Sequence, residues 1–463
     1  MTTDRSFADS QRSETILSRI TAVRAPHLLR MMEFFLTLFA LAIGVAAVII
    51  IDLTVYETIT TTLLIPGAVY IAAVVGLHLI VRHTAPDADP LILSLAVALN
   101  SLGIAMIYRI DTSGSDPIGF GSSSIRQIVW SIVAIAIAAI VLWFVRNHLV
   151  LYRYTYIFGL LALLFMLLPL VPGLGQEING ARQWIRIGPY SFQPVELTKI
   201  CLAIFFAGYL VRNRDALSMV GKKIGPMRFP RGRDLDPLLV VWAIAMAVLV
   251  VQRELGTAVL VLGLFLAMLY VATNRVSWVL LGGVLFVSGG LLAARLLPYV
   301  GSRFANWLDP FRDAQGASYQ LVQGLFGMAN GGTLGTGLGA GYPQITPLSR
   351  SDYIIPSLAE ELGLVGIFVV VLCYLLIIGR GLRISFAGSD DFGKLLSAGL
   401  AFTLALQVFV VIGGVTRLIP LTGLTAPFLA AGGSSLVSNW IISALLIRMS
   451  NAVRNKPKLV IRA

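Results

Sequence analysis

The sequence predicts an all-α polytopic membrane protein. Of its 463 residues, 57% are hydrophobic and 13% are charged, and the mean hydropathy is +0.85. Soluble domains carry about 25% charged residues, and a helix needs about 20 apolar residues to cross a bilayer. Apolar runs of that length recur along the chain, whereas a transmembrane barrel would show short alternating strands. The fold class is therefore a bundle of transmembrane helices.

The apolar runs predict about 12 transmembrane helices. In chain order they cover residues 31–51, 60–82, 90–108, 127–145, 154–172, 193–211, 237–251, 255–273, 276–298, 357–379, 391–416 and 425–447. The longest connection, residues 299–356, joins spans nine and ten. Connections of more than about 15 residues are usually functional or disordered. The aromatic residues here could anchor the connection on the membrane surface, and we expect a partly helical, re-entrant lid.

The placement of positive charge predicts the orientation. The net charge is +12, and lysines and arginines concentrate in the N-terminal tail, in residues 212–236 and in the C-terminal tail. Lys and Arg in short flanks of spans mark the cytoplasmic side and attract anionic membrane lipids. We therefore expect a plasma-membrane protein with both termini in the cytoplasm, residues 173–192 and 299–356 outside, and no role in nucleic-acid binding.

Polar residues in or beside the spans are candidates for function, because a charge in hydrocarbon costs several kcal/mol. In NGARQWIRIG, Arg182 and Arg186 flank Trp184. The three side chains form either an interfacial anchor or a phosphate or sugar contact, since guanidinium groups bind phosphate oxygens bidentately.

Two further groups open predicted spans. In QPVELTKI, Glu196 and Lys199 are three residues apart and share a helical face. They form either a neutralising pair or a contact in which Lys199 holds an anionic leaving group. In QRELGT, Glu254 follows Arg253, and the adjacent charges indicate a local ion pair at a tight turn.

The long outer connection holds the densest group of charges, NWLDPFRDAQGASYQ, with Asp309, Arg312 and Asp313. The run GGTLGTGLGAG that follows lacks the Gly-Lys-Ser/Thr of a nucleotide-binding loop, so we interpret it as a closely packed loop. The stretch SRSDYIIPSLAEELG contributes Asp352 and Glu360, among other charges. Snorkelling to the interface accounts for some of them.

Five stretches together resemble the SEDS family (shape, elongation, division and sporulation). They are GARQWIRIGPYSFQPVELTK, QRELGTA, DPFRDAQGASYQLVQGLFGMANGG with GTGLG, SDYIIPSLAEELGLVG and LTGLTAPFLAAGGSSL. They occur in the family's order over residues 90–450, and they are most similar to actinobacterial, elongation-type members, with the division-type (FtsW-like) members as the near alternative. The resemblance implies a ten-span core at 86–450. It leaves residues 1–30 as a cytoplasmic tail, 31–85 as two additional N-terminal helices, and 451–463 as a basic cytoplasmic tail.

The resemblance also implies an activity, which is polymerisation of lipid II into peptidoglycan at the outer face of the plasma membrane. A class B penicillin-binding protein is the implied cross-linking partner, and a divalent cation such as Mg²⁺ or Mn²⁺ is a family-level expectation. The lipid's diphosphate leaves as an anion, so the protein has only to take a proton from the attacking hydroxyl, which one carboxylate can do. Cations must offset the charge on the diphosphate.

Asp313 aligns with the family's Asp-Pro-x-Gly-x-Gly-Tyr-Gln aspartate and is our predicted general base. Asp309, in a turn-forming Asp-Pro pair, and Glu254 are the secondary acid candidates. The remaining candidates are expected to bind substrate: Arg182, Arg186, Glu196, Lys199, Arg303, Arg312, Tyr319, Gln320, Asp352 and Glu360.

Two other function classes stay open from the sequence. A lipid II flippase or other transporter would place its polar residues near the bilayer midplane on broken helices, whereas the charges here gather at the outer rim. A non-catalytic scaffold for a penicillin-binding protein is the third possibility. Glycan polymerisation by the purified protein and its partner separates the three.

Overall fold

The computed structural model describes residues 26–114, 118–119, 121–178, 181–188, 190–213, 223–224, 227–228 and 236–455. The helices of this part of the chain are α1 Pro26–Tyr56, α2 Leu64–Thr84, α3 Pro90–Asp111, α4 Ser123–Phe144, α5 Leu149–Arg153, α6 Thr155–Leu167, α7 Val195–Arg212, α8 Asp236–Val251, α9 Leu255–Thr273, α10 Val276–Leu296, α11 Pro298–Leu308, α12 Tyr319–Gly331, α13 Ile354–Ala387, α14 Asp391–Val415 and α15 Gly433–Arg454. The strands are β1 Gly175–Ile178, β2 Ala181–Ile187, β3 Tyr190–Phe192, β4 Lys223–Ile224 and β5 Met227–Arg228.

Every predicted span coincides with one of these helices. Within the described residues, nine helices are long and apolar enough to cross a membrane, namely α1 to α4, α9, α10 and α13 to α15. Helices α6 and α8 are apolar but shorter, and α7 has the polar residues Glu196 and Lys199 in its first turns. The polytopic helical fold is confirmed, and the number of crossings stays a prediction.

The core of the bundle is formed by α3, α7, α14 and α15, most of whose residues are buried. The other helices pack around them, α1 on α3, α2 on α4, α6 on α7, and α13 on both α14 and α3. Helix α10 lies at the periphery, with Gly282 as its only buried residue among those described. An apolar helix with so little protein cover faces lipid along most of its length.

Contacts between loops define two opposite ends of the bundle. At one end, Arg30 of α1 and Arg454 of α15 both donate to the carbonyl of Ala88, and Asp89 pairs with Arg380 and Arg454. We call this the basic end. Both ends of the described chain therefore lie together, as the charge pattern predicts, and the compartment that they face stays a prediction.

The all-α expectation misses a small antiparallel sheet. Strands β1, β2 and β3 form it in that order, with Gln176 opposite Trp184 and Arg186 opposite Ser191. The sequence carries Asn-Gly between the first two strands, which is a pair typical of two-residue hairpins. Strands β4 and β5 form a second, two-stranded ribbon. The predicted tails 1–30 and 451–463 fall mostly outside the described residues, and α15 continues to Arg454, beyond the predicted boundary at 450.

Candidate functional site

The opposite end of the bundle, which we call the loop end, carries the long connection between α10 and α13. It contains α11, a short 3-10 segment at Pro310–Asp313, α12 and a second 3-10 segment at Pro343–Ile345. The expectation of a partly helical segment is met by these elements. Helix α11 has a polar and an apolar face, and it lies against the segment between α14 and α15.

Three side chains dock α11 on that segment. The Arg303 guanidinium donates through Nη1 to the carbonyl oxygens of Leu421 (3.2 Å) and Thr422 (3.0 Å). Trp307 Nε1 donates to the carbonyl of Arg417, and Arg417 Nε donates back to the carbonyl of Trp307 at 2.8 Å. These contacts fix the connection between α10 and α13, which we call the long connection, against the segment between α14 and α15.

The two aspartates of the long connection differ in their hydrogen bonds. Asp313 is exposed, and its Oδ2 accepts a hydrogen bond from the backbone N–H of Ala317 at 2.8 Å. Asp309 is also exposed and ends α11, without a side-chain hydrogen bond to the backbone that begins the next segment. Asp313 therefore caps the turn that follows it, whereas Asp309, in the turn-forming Asp-Pro pair, caps none.

A small cleft of about 60 Å³ lies beside this turn. Arg303, Gln320 and Ala317 contribute to its wall, and Gln320 Nε2 donates to the carbonyl of Pro347. Ala317 connects the cleft with Asp313, since its N–H binds the carboxylate. The structure thus brings the predicted residues Arg303, Asp313 and Gln320 to one region, whereas Arg312 is exposed and Tyr319 begins α12.

Glu196 and Lys199 form a buried ion pair with an O–N distance of 2.6 Å. Lys199 Nζ also donates to Oε1 of Gln407 on α14 (2.8 Å), and Gln407 Nε2 donates to the carbonyl of Thr425 (2.9 Å). Their side chains are at most 6% exposed. The contact with Gln407 ties the pair into the core, so α7, α14 and the segment before α15 share one polar chain. Binding of a leaving group by Lys199 stays a prediction.

Two carboxyl groups near this series of polar contacts have raised pKa values. Burial raises the pKa of Glu254, between α8 and α9, to about 7, and the nearby Glu196 adds to the effect. Burial likewise raises the pKa of Asp352, before α13, to about 7, although Arg303 partly opposes it. Arg303 influences both groups electrostatically. Shifted acids beside a cation in one region are typical of functional sites.

The local ion pair expected between Glu254 and Arg253 does not form in the described part of the chain. Arg253 has a left-handed backbone (φ 59°), and its guanidinium lies over the ring of Tyr299 at 5.7 Å from the centroid. Glu254 instead accepts a hydrogen bond from Thr257 Oγ1 at 3.0 Å. The turn points the two side chains in different directions, which adjacency in sequence could not reveal.

Glu360 and Glu361 hold the glycine-rich run that follows α12. Glu360 Oε1 accepts from the backbone N–H of Tyr342 (2.9 Å), and Glu361 Oε2 accepts from that of Gly339 (3.0 Å). Arg109 of α3 then joins Glu361 at 2.8 Å and donates to the carbonyl of Gly341. These contacts are buried and internal, so the geometry of Glu360 supports a positioning role rather than substrate contact.

A break inside α13 makes this arrangement possible. Gly363 has φ +68° and interrupts the helix, and the N–H groups of Leu364 and Val365 then bind the carbonyls of Gly332 and Thr333. A Cβ at Gly363 would lie 2.2 Å from the backbone nitrogen of Gly335. Only glycine fits both the conformation and the close approach.

Arg182 and Arg186 lie on the exposed sheet, away from these buried chains. Arg182 approaches Glu177 at 3.8 Å, with both side chains more than half exposed, and Arg186 Nε donates to the carbonyl of Gly188. A connection to the bundle runs through Gln193, which donates to Gln183 of β2 at 2.8 Å, just before α7. Both roles proposed for these arginines, anchor and phosphate contact, stay open.

No group of three or more His, Cys, Asp or Glu side chains that could hold a metal ion occurs among the residues that the structure describes. Within this described part of the chain, the side chains do not form a metal site built by the protein alone. The expected divalent cation stays a prediction. Two important residues were missed from the sequence, Arg109 and Gln407. A polar residue within an apolar span was the available signal for both.

Comparison with known proteins agrees with this architecture. The chain is 44% identical to the peptidoglycan glycosyltransferase RodA of Mycobacterium tuberculosis over 91% of its own length and 90% of the relative's. A chain of a peptidoglycan synthase complex, described as coordinating polymerization and crosslinking, superposes with a TM-score of 0.63 at 26% identity, covering 80% of this chain and 99% of that one. The rod shape-determining protein RodA of Thermus thermophilus shares the fold, with a TM-score of 0.56 at 23% identity over 80% of this chain and 98% of that one.

The family match and the mycobacterial match differ in how they treat the N-terminus. The family described as a cell cycle protein, FtsW/RodA/SpoVE, matches residues 90–455 and leaves α1 and α2 outside. The mycobacterial alignment omits less than a tenth of the chain, so it necessarily includes part of α1 and α2. With four-fifths of its length matched by the family and a close relative at 44% identity, the chain belongs to the FtsW/RodA/SpoVE family of cell cycle proteins.

Proposed function

We propose that the protein is a peptidoglycan glycosyltransferase that polymerises lipid II at the outer face of the plasma membrane during cell elongation. One structural observation carries the proposal. Asp313 is an exposed carboxylate in the connection between α10 and α13. Arg303 docks this connection on the bundle, close to its buried acids and cations. The curated mycobacterial relative that bears this activity in its name supports the assignment.

The proposed chemistry needs one proton acceptor and several positive groups. Asp313 takes the proton from the acceptor sugar's hydroxyl as its oxygen attacks the anomeric carbon of the donor. The bond from that carbon to the diphosphate breaks, and the diphosphate leaves with the electron pair as an anion. No protein acid is required at the leaving group, because a diphosphate is already a stable anion.

Asp313 is suited to this role because only part of its carboxylate is engaged. Oδ2 accepts the N–H of Ala317, which orients the group without covering it, and the side chain is exposed to the outer surface. Gly316 keeps the turn open next to it, since a Cβ there would lie 2.4 Å from Oδ1. The hydrogen bond to a backbone N–H holds the base in one direction.

The donor's diphosphate requires cations that a substrate can reach. Arg182 and Arg186 on the sheet and Arg312 in the long connection are exposed, so we assign the first contacts to them. Arg303 lies at the cleft and is half-buried. Lys199 is buried and bound by Glu196 and Gln407. We therefore assign it to stabilising the interior of the protein rather than to contacting the substrate.

We further infer the partner and the orientation. A class B penicillin-binding protein would supply the cross-linking reaction, which is consistent with the structural neighbour's place in a synthase that combines polymerization and crosslinking. Both termini would be cytoplasmic, with the loop end outside, because the Lys and Arg bias follows that arrangement.

The decisive experiment supplies lipid II to the purified protein with its penicillin-binding partner and measures glycan chains. Asp313→Asn should lower polymerisation by about 10²-fold or more, which is the lower range for general-base catalysis. Asparagine retains an oxygen that can accept the Ala317 N–H, so the turn should survive. Asp309→Asn is the matched control, four residues before the turn's own cap, and it should be far milder.

The outcomes separate the possible functions. Loss of activity in Asp309→Asn alone would assign the base to Asp309 instead. Full polymerisation by both variants at equal abundance, together with failure of lipid II translocation, would replace the enzyme by a transporter. If the partner alone forms glycan chains in the absence of this protein, the protein would be a non-catalytic scaffold.

A further inference from the structure

A cavity of about 330 Å³ lies between the two N-terminal helices and the rest of the bundle. Helices α1 and α2 follow each other in the chain but barely touch, because α1 packs along α3 and α2 packs along α4. Gly44 sets the close approach of α1, since a Cβ there would lie 2.5 Å from Cβ of Ser101. The divergence of the two helices leaves a wedge between them.

The wedge is apolar and opens sideways. Its rim includes Val45 of α1 and Leu64 of α2, which are 44% and 65% exposed, and its floor includes Ile104 and Ile128 from α3 and α4. The hydroxyl of Tyr70 on the floor is already bonded to Ser101 Oγ at 3.2 Å. Since α1 and α2 are both apolar enough to span a membrane, the open side faces lipid hydrocarbon.

The end of the wedge that lies toward the loop end is closed by a satisfied acid. Asp52 is 1% exposed and accepts from the Tyr108 hydroxyl (2.6 Å), the Thr60 N–H (2.8 Å) and the Thr60 hydroxyl (2.9 Å). It is the one charged residue of the cavity lining in the part of the chain that the structure describes, and it is negative. This end does not suit the diphosphate of a polyprenyl carrier, which requires cations.

We propose that the wedge binds an acyl chain of a bilayer phospholipid, which completes the packing of α1 and α2 against the core. Empty space beside apolar side chains forfeits their dispersion contacts, and the molecules that reach this opening within a membrane are hydrocarbon chains. The volume falls at the lower limit of cavities that bind small ligands, which matches a segment of one chain rather than a whole helix of a partner. The proposal does not depend on glycosyl transfer.

Two glycines of α2 provide a matched test. A Cβ added at Gly67 or at Gly76 meets no atom within 4 Å, so a side chain can begin at both positions without a backbone clash. Gly67 lines the cavity and Gly76 does not. Gly67→Phe therefore fills the wedge, whereas Gly76→Phe makes the same chemical change on the same helix away from it.

The full-length protein is reconstituted with a phosphatidylethanolamine that carries a photoreactive diazirine on one acyl chain, and crosslinked peptides are identified by mass spectrometry. In the wild type, we expect labels on the wedge-facing residues of α1 and α2. Gly67→Phe should lower this labelling by roughly tenfold, the factor expected from excluding about two buried methylene groups. Gly76→Phe should label like the wild type.

Equal labelling of the wild type and Gly67→Phe would overturn the proposal. So would stronger labelling of the wedge by a diazirine-bearing polyprenyl phosphate than by the phospholipid at equal concentration, since the occupant would then be a carrier lipid. Loss of labelling in both glycine variants would also count against it, because the effect would then come from the helix and not from the cavity.

Discussion

Removing the Lys199 side chain should destabilise the protein strongly, whatever its effect on activity. In Lys199→Met, the buried carboxylate of Glu196 loses its partner at 2.6 Å, and Oε1 of Gln407 loses a donor at 2.8 Å. Breaking a buried ion pair by deleting one partner costs about 3–5 kcal/mol, and an orphaned buried acceptor adds about 1 kcal/mol or more. We therefore expect a loss of about 4–6 kcal/mol in the free energy of unfolding.

The chain contains its own reporter for this measurement. It has two cysteines, and Cys201 is buried on α7, two residues from Lys199, while Cys373 is partly exposed. In a Cys373→Ser background, a maleimide dye that fluoresces on reaction with thiols reports the exposure of Cys201 as the temperature rises. Lys199→Met should shift this transition to a clearly lower temperature than in the unmodified background.

The double variant Glu196→Gln with Lys199→Met is the control, because it removes both charges together. It should recover most of the lost stability, since replacing both members of a buried pair is often nearly neutral. A double variant that unfolds no later than Lys199→Met would refute the reasoning, because the loss could not then come from an uncompensated charge. Activity of Lys199 variants should be compared only after correction for the folded fraction.

Two other predictions concern the site's electrostatics. The pKa of Asp352 is raised to about 7 in the folded protein from 3.8, so between about pH 4 and 7 the unfolded chain releases a proton that the native protein keeps, and stability falls as pH rises through this window. Asp352→Asn should therefore flatten the pH dependence of the thermal midpoint measured by tryptophan fluorescence, and parallel curves for the two proteins would contradict the shift. Arg182→Ala should leave the free energy of unfolding nearly unchanged, because an exposed ion pair contributes about 0–1 kcal/mol. It should weaken binding of the donor by about 1–3 kcal/mol and lower lipid II turnover accordingly. Unchanged turnover would favour the interfacial anchor.

The sequence predicted the parts of the fold that depend on local composition. Every apolar run became a helix, because about 20 apolar residues in a row are recognisable without their neighbours. The sheet at 175–192 was missed because its strands are short and lie in a connection that overall composition assigned to an all-helical protein. A strand period of two is visible only over Ile185, Arg186 and Ile187, because Gln183 interrupts the alternation before Trp184.

The site was predicted only in part, because several of its contacts join distant residues. Arg109 and Glu361 are separated by 252 positions, and neither composition nor spacing links them. The cap at Asp313 depended on the direction of a turn, and Asp-Pro at Asp309 gave a stronger local signal. The resemblance to the family indicated Asp313, which local sequence propensity alone would not have selected.

The sequence separation of these buried partners bears on how the protein is made. Glu196 and Lys199 lie one turn apart on α7, so the pair can enter the membrane as a neutral unit as soon as that helix emerges from the ribosome. Arg109 has no such neighbour as its main partner, because Glu361 is synthesised 252 residues later. Helix α3 therefore carries an arginine without this partner, at the loop end of the bundle, until most of the chain has been translated. Completion of α13 supplies Glu361, so a nascent chain arrested before that helix would present the uncompensated charge of Arg109 to membrane quality control.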